Sequence, residues 1–241
     1  MLFNSYPFIL FFLPLCLLFF YRFKNYKFYL IFSFSLIFYG LWDFRFLPLI
    51  LGTTIFNFIV SKYVSNKFFL IIAIITNLLL LIYFKYTNFI LDQINLFSSN
   101  EYSSLNIILP LGISFFTFQQ VGYLIELHQN KITRCKKFIE FAVFVTFFPQ
   151  LIAGPIVGYS QIKKSFRRLN NTKFFNNISI GLFVFTIGLF KKIFIADNLS
   201  LASNAVFNAS ATYEAISFFE TWLGVISYTM QIYFDFSAYS D

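Results

Sequence analysis

Few side chains in this sequence can do chemistry, and most of those lie on apolar runs. Asp235 shares one helical face with Tyr228, Gln231 and Tyr239, which fall at spacings of three, seven and eleven along the run. A carboxylate on such a stripe is either a functional group facing a cavity or part of a structural hydrogen-bonded cluster. Lys191 and Lys192 sit toward the end of another apolar run. They either snorkel to the interface or line a polar cavity. Ser114, Thr117 and Gln120 are three apart and share a face, with Gln119 alongside. Interhelical glue and a cavity wall are both open readings for them. His128 is the one histidine, and Glu126 is beside it. Residues two apart do not face each other on a helix, so His128 reads as an interfacial residue rather than a general base.

The stretch that these elements surround is residues 147–158, FFPQLIAGPIVG. Pro149 removes a backbone donor, and Gly154-Pro155 is a turn signal. In hydrocarbon, backbone freed in this way must be satisfied by protein or by a water-filled cavity. Pro149, Gln150, Gly154 and Pro155 therefore read as parts of a broken, re-entrant element that helps line a site. A kinked ordinary span is the plainer reading.

Composition sets the frame. The chain has 241 residues, a mean hydropathy of +0.73, 59% hydrophobic and only 12% charged residues, against about a quarter charged in ordinary soluble domains. This is an all-α polytopic membrane protein. The formal net charge of +8 suggests nucleic acid, but the placement of the charges rejects it. Most Lys and Arg fall in four short loops between apolar runs: Arg22, Lys24 and Lys27; Lys62 and Lys67; Lys131, Arg134, Lys136 and Lys137; Lys163, Lys164, Arg167, Arg168 and Lys173. That is positive-inside patterning. Cys16 and Cys135 form neither a disulfide framework nor a metal site by their spacing.

The charge pattern predicts an outer N-terminus and seven crossings plus one re-entrant element in a multi-pass protein. The spans lie near 7–21, 28–41, 47–60, 68–86, 107–128, 174–195 and from 215 onward. Outer loops are expected at 92–104 and 196–212. The loops at 131–137 and 163–173 are both basic, so both belong on the cytoplasmic side. A single crossing between them would put one outside, and a segment that enters and returns resolves the conflict. The whole of 1–241 reads as one transmembrane domain, with N-terminal spans over 1–106 and a core portion over 107–241.

No P-loop, dinucleotide fingerprint or G-x-S-x-G elbow is present. Four ordered stretches do carry a resemblance: LPLGISFFTFQQ at 109–120, FFPQLIAGP at 147–155, GLFKKIFIAD at 188–197 and QIYFDFSAYSD at 231–241. Together they resemble the membrane-bound O-acyltransferase family, in the bacterial branch of alginate O-acetyltransferases and the D-alanyl transfer protein for teichoic acids. The N-terminal spans match in character only. Ala238 stands where that pattern has glycine.

The resemblance implies a helical ring around a tunnel, in a bacterial inner (cytoplasmic) membrane. It implies O-acylation of a cell-surface polysaccharide, with no bound cofactor. The acyl donor, acyl-CoA or an acyl carrier, arrives on the cytoplasmic side as substrate, and a separate extracytoplasmic acetyltransferase is a possible partner. Besides these, only the lipid bilayer is an expected partner, and nucleic acid is not. The family's catalytic histidine falls in a tryptophan-rich motif expected after Asp241. No catalytic residue is therefore assigned within the chain, which by itself is expected to be catalytically incomplete. Gln119, Gln120, Pro149, Gln150, Gly154, Pro155, Lys191, Lys192, Gln231, Asp235 and Tyr239 are expected to line or support the tunnel. Two competing classes use the same signals: a transporter or flippase for a glycan precursor, and an inactive scaffold. Transporters of that kind often show a half-to-half repeat, and none is visible here.

Overall fold

A helix that stops inside an apolar environment must hand its freed N–H and C=O groups to other partners, and this constraint shapes the N-terminal part of the molecule. The computed structural model describes residues 3–97, 103–151, 157–168, 174–212 and 216–241. Among them every regular element is helical. They form two compact units, one built from the elements up to Arg168 and the other from Phe174 to Asp241.

In the first unit, a π-helical turn Phe8–Phe12 leads into α1 (Leu13–Arg22), followed by α2 (Lys27–Asp43), α3 (Leu47–Val60) and α4 (Lys67–Phe97). Asp43 ends α2 in an extended conformation (φ −159°, ψ 109°), and its carboxylate accepts the Arg45 N–H at 3.0 Å. The break expected between the second and third spans is therefore built by Asp43. Next come α5 (Ile113–His128), α6 (Phe138–Thr146), the single turn α7 (Phe148–Leu151) and α8 (Tyr159–Arg168). α6 is the centre of this unit. Its residues Phe141 to Thr146 are each at most 1% exposed. A helix apolar on all sides is stable only when it is surrounded, and here α2, α3 and α5 surround it.

The expected boundaries shift in three places. α4 does not stop near Tyr86 but runs 31 residues to Phe97, about 46 Å at 1.5 Å per residue. Phe89, Ile90, Ile94 and Phe97 continue the apolar pattern with no Gly or Pro to end it. The amide of Asn88 then holds the returning chain, exchanging two 2.9 Å hydrogen bonds with the backbone of Leu105. α5 starts at Ile113 rather than near 107, because Gly112 is left-handed (φ 66°) and closes the turn begun at Pro110.

The third shift is in the second unit. α9 (Phe174–Phe190) continues through a π-helical segment, Lys191–Ala196, into α10 (Asp197–Ala211), where an outer loop was expected. The stretch is polar but holds no Gly or Pro, and α11 (Phe218–Ser240) gives it a surface to pack on. Among the described residues, three stretches are long and apolar enough to cross a membrane: Lys27–Val60, Lys67–Phe97 and Asn177–Ala211.

The break after α6 shows how the backbone constraint is met. The Phe144 carbonyl and the Phe148 N–H would pair in an unbroken helix, but Phe147 turns away (φ −54°, ψ 106°) and separates them. Gln119 Nε2 donates to the Phe144 carbonyl at 3.0 Å, and the Phe148 N–H donates to Ser35 Oγ at 3.2 Å. Tyr39 donates its hydroxyl to the Leu111 carbonyl at 3.2 Å on the facing turn. Losing either cap strands a buried backbone group, at about 1–3 kcal/mol. Gln119→Ala and Ser35→Ala are each expected to destabilise the protein by that amount in detergent unfolding, while Ser65→Ala, at an exposed serine, stays near zero.

Candidate functional site

The four stretches singled out in the sequence pair off in space. In the first unit, 109–120 meets 147–151. A side chain on Gly112 would run into the Leu151 carbonyl oxygen, so glycine is needed there both for its left-handed φ and for the close approach. Gln119 reaches α6 as described. Gln120, fully buried, faces the other way: its Oε1 accepts from Asn57 Nδ2 at 2.7 Å. Asn57 and Asn77 exchange amide hydrogen bonds of 3.0 and 2.8 Å, and each also donates to the carbonyl four residues before it. α3, α4 and α5 are thus joined by a buried amide cluster. Pro149 is exposed and Gln150 half-buried on α7. Gly154 and Pro155 lie outside the described residues.

At the end of α5, His128 Nδ1 lies 2.7 Å from the Val64 carbonyl. A carbonyl only accepts, so Nδ1 carries the hydrogen and ties α5 to the 61–66 turn. Glu126 is nearby against Gly158, and its Oε2 is buried without a hydrogen-bond partner among the described residues. Cys135 is 1% exposed. Burial raises the pKa of its thiol, and burial likewise raises that of the neighbouring Tyr159 hydroxyl. Neither is set up as a nucleophile.

In the second unit, 188–197 meets 231–241. α11 runs antiparallel to the long helix before it. The register reads Val206 against Gly224, Phe207 against Tyr228 and Ser203 against Gln231, then Lys192 against Asp235 and Gly188 against Ala238. A Cβ on Gly188 would lie 2.8 Å from the Ala238 carbonyl, so this glycine permits the close approach. At that end is a node of charges. Lys192 Nζ bridges Asp235 at 2.7 Å and Asp197 at 3.0 Å, and Lys191 Nζ reaches Asp241 at 2.5 Å and Ser237 Oγ at 3.0 Å. Gln231 Oε1 accepts from Ser203 at 2.9 Å, and Tyr239 is half-buried on the same helix.

Asp197 and Asp241 have no place in the expected site. Lys192 and Asp197 are five apart, a spacing that does not align on an α-helix. The wider π turn of Lys191–Ala196 brings them together and lets two adjacent lysines both reach α11. The motif GLFKKIFIAD carries these residues, but helical periodicity alone does not select Asp197.

Residues 132–241 match the profile of MBOAT, the membrane-bound O-acyltransferase family. The whole chain is 38% identical to a peptidoglycan O-acetyltransferase of Helicobacter pylori and covers 52% of that protein. It is 34% identical, again over its whole length, to a probable alginate O-acetylase of Pseudomonas syringae pv. tomato, covering 48% of it. A teichoic acid D-alanyltransferase of Streptococcus thermophilus is 28% identical over 54% of the chain and 32% of its own length. The chain spans about half the length of the curated relatives it matches over its full extent. No solved structure matches.

The node generates a thermodynamic expectation. A water-exposed ion pair contributes about 0–1 kcal/mol, whereas removing one partner from a shielded pair costs about 3–5 kcal/mol. Lys192, Asp197 and Asp235 are about one-third to one-half exposed at their side chains, so Lys192→Met is expected to cost about 1 kcal/mol or less in detergent unfolding. Lys192→Met/Asp235→Leu is expected to be less destabilised than the sum of its two single variants.

Proposed function

The chain belongs to the membrane-bound O-acyltransferase family, and on that premise we propose that it acts in O-acylation of a cell-surface polysaccharide at the bacterial cytoplasmic membrane. The observation that supports this reading is the match of the entire chain to a peptidoglycan O-acetyltransferase and to a probable alginate O-acetylase. Acetyl is the acyl group we favour, supplied from the cytoplasmic side by acyl-CoA or an acyl carrier acting as substrate.

The physical logic is that of moving a polar acyl-transfer reaction through hydrocarbon. Donor and acceptor need a hydrated route, and the groups lining it must stay charged or hydrogen-bonded without collapsing onto lipid. We assign Lys191, Lys192, Gln231, Asp235 and Tyr239 to one wall of such a tunnel. In support, Lys192, Asp197 and Asp235 remain about one-third to one-half exposed at the level of their side chains while paired with one another, an arrangement suited to water rather than to acyl chains. Gln119, Gln120, Pro149, Gln150, Gly154 and Pro155 are assigned to the broken element, which sets the tunnel's shape. Seven crossings, a re-entrant segment, an outer N-terminus and a ring of helices complete the arrangement we envisage. The hydroxyl of the acceptor is deprotonated by a general base. His128 is engaged with Val64, and we assign that role to none of the residues described above. A separate extracytoplasmic transferase is a further partner in this scheme.

The test is genetic and chemical. Deleting the gene is expected to remove most base-labile O-acetyl from the purified wall polysaccharide, and the wild-type gene restores it. Asp235→Leu, expressed at wild-type level, is expected to restore less than a tenth. Unchanged O-acetyl content in the deletion strain overturns the reading. Full restoration by Asp235→Leu removes that residue from the tunnel.

A further inference from the structure

Three basic segments that are far apart in sequence come together in the first unit. The turn at 61–66 is tied to the end of α5 by His128 and to the 131–137 loop by Arg134, whose Nε donates to Ser61 Oγ at 3.0 Å. The same loop is tied to α8 by Lys163, whose Nζ donates to Thr133 Oγ1 at 2.6 Å. Arg134 also stacks its guanidinium over Phe58, 5.2 Å from the ring centre. The charges engaged in these ties are structural. Others remain available: Lys62, Lys67, Lys131, Lys136 and Lys164 are exposed, and none forms an ion pair among the described residues. The acidic residue closest in sequence to the loop, Glu140, is taken by Lys137 at 3.5 Å.

Exposed aromatic rings lie among these lysines. Tyr63, Phe68 and Phe69 are 53%, 63% and 40% exposed, beside Lys62 and Lys67. An amphipathic ring next to an ammonium group matches the level of the membrane where acyl chains give way to headgroups. α8 has its apolar side committed to protein: Tyr159 packs edge-on against Tyr123 and Phe144 at 5.2 and 5.4 Å, and Ile162 packs on the core. Lys164, exposed, is therefore left as the outward chemistry of that helix.

We propose that this face is a binding surface for anionic phospholipid headgroups, with the lysines of 61–67, 131–137 and α8 acting as one phosphate-binding collar. Charge patterning alone orients loops one by one. The hydrogen bonds above fuse three loops into one surface, and anionic lipid near such a cluster is held by several ammonium groups at once. The inference rests on the membrane placement and not on acyl transfer, so either can fail alone.

The test uses the protein purified from its native gene in a neutral detergent. Thermal unfolding is followed with added phosphatidylglycerol, with phosphatidylcholine, and with inositol hexakisphosphate as a water-soluble polyphosphate. Phosphatidylglycerol is expected to raise the melting temperature by several degrees over phosphatidylcholine. The shift is expected to shrink by more than half in 1 M salt, where screening falls to about 3 Å. A Lys62→Gln/Lys67→Gln/Lys131→Gln/Lys136→Gln/Lys164→Gln variant is expected to melt as wild type in phosphatidylcholine and to lose the shift. Equal melting in the two lipids, or a shift that persists in the variant, overturns the proposal. A shift reproduced by inositol hexakisphosphate overturns it too, in favour of a soluble-anion site. If the variant does not fold, the salt dependence of the wild-type shift decides: an unchanged shift in 1 M salt rejects an electrostatic collar.

Discussion

The N-terminal unit depends on one pair of hydrogen bonds that substitute for a missing one. Where α6 stops, Phe144 loses its acceptor role and Phe148 its donor role within the helix, and Pro149 has no N–H for the Val145 carbonyl. Gln119 and Ser35 take over the first two. Each unmet group would cost about 1–3 kcal/mol, a sizeable share of a protein's marginal stability. The break therefore fixes its neighbours: α5 must present Gln119 at one point, and α2 must present Ser35 at another. α6, buried on every side, has no freedom to adjust. Gly112 then brings the opposite turn into contact with α7, since only a residue without a side chain fits against Leu151.

The C-terminal unit solves a different problem. It holds charges in a stretch otherwise apolar enough to cross a membrane. The antiparallel register of α11 against the helix running from α9 into α10 lets small residues make the close contacts, at Gly188 and Gly224, and lets polar ones cross-link at Ser203–Gln231 and Lys192–Asp235. The π-helical turn gives the node its composition. The π turn spans the five-residue step from Lys192 to Asp197, which an α-helix would not align. π turns of this kind are frequent at functional sites, and here one coincides with residues of a family motif.

Much of this was legible in the sequence because hydrocarbon allows few options. The all-helical class, the helix at Leu47–Val60 and the break beginning at Phe147 follow from apolar runs, Pro and Gly. The face shared by Gln231 and Asp235 follows from 3.6-residue periodicity, and both residues do meet the preceding helix. What periodicity misses is packing that overrides composition. Residues 197–211 look like a polar loop because Asn, Ser and Asp dominate, yet α11 supplies a surface that makes them a helix. α4 outruns its expected end because nothing in 87–97 breaks it. Asp197 escapes notice because its spacing from Lys192 is that of a π turn. Asn57 and Asn77 are single amides in apolar runs, and their pairing with Gln120 joins helices whose register the sequence does not state.

The two caps at the α6 break share a direction in the chain. Ser35 and Gln119 both precede Phe147, as does Tyr39, which serves the adjoining turn. A ribosome makes the chain from its N-terminus, so α2 and α5 have been synthesised before the interrupted segment follows them. When the interrupted segment emerges, the side chains that satisfy its unpaired carbonyl and N–H are already made. The order of synthesis thus places the two caps ahead of the break they serve. A circular permutant that places α2 and α5 after α7 would keep every final contact and reverse that order.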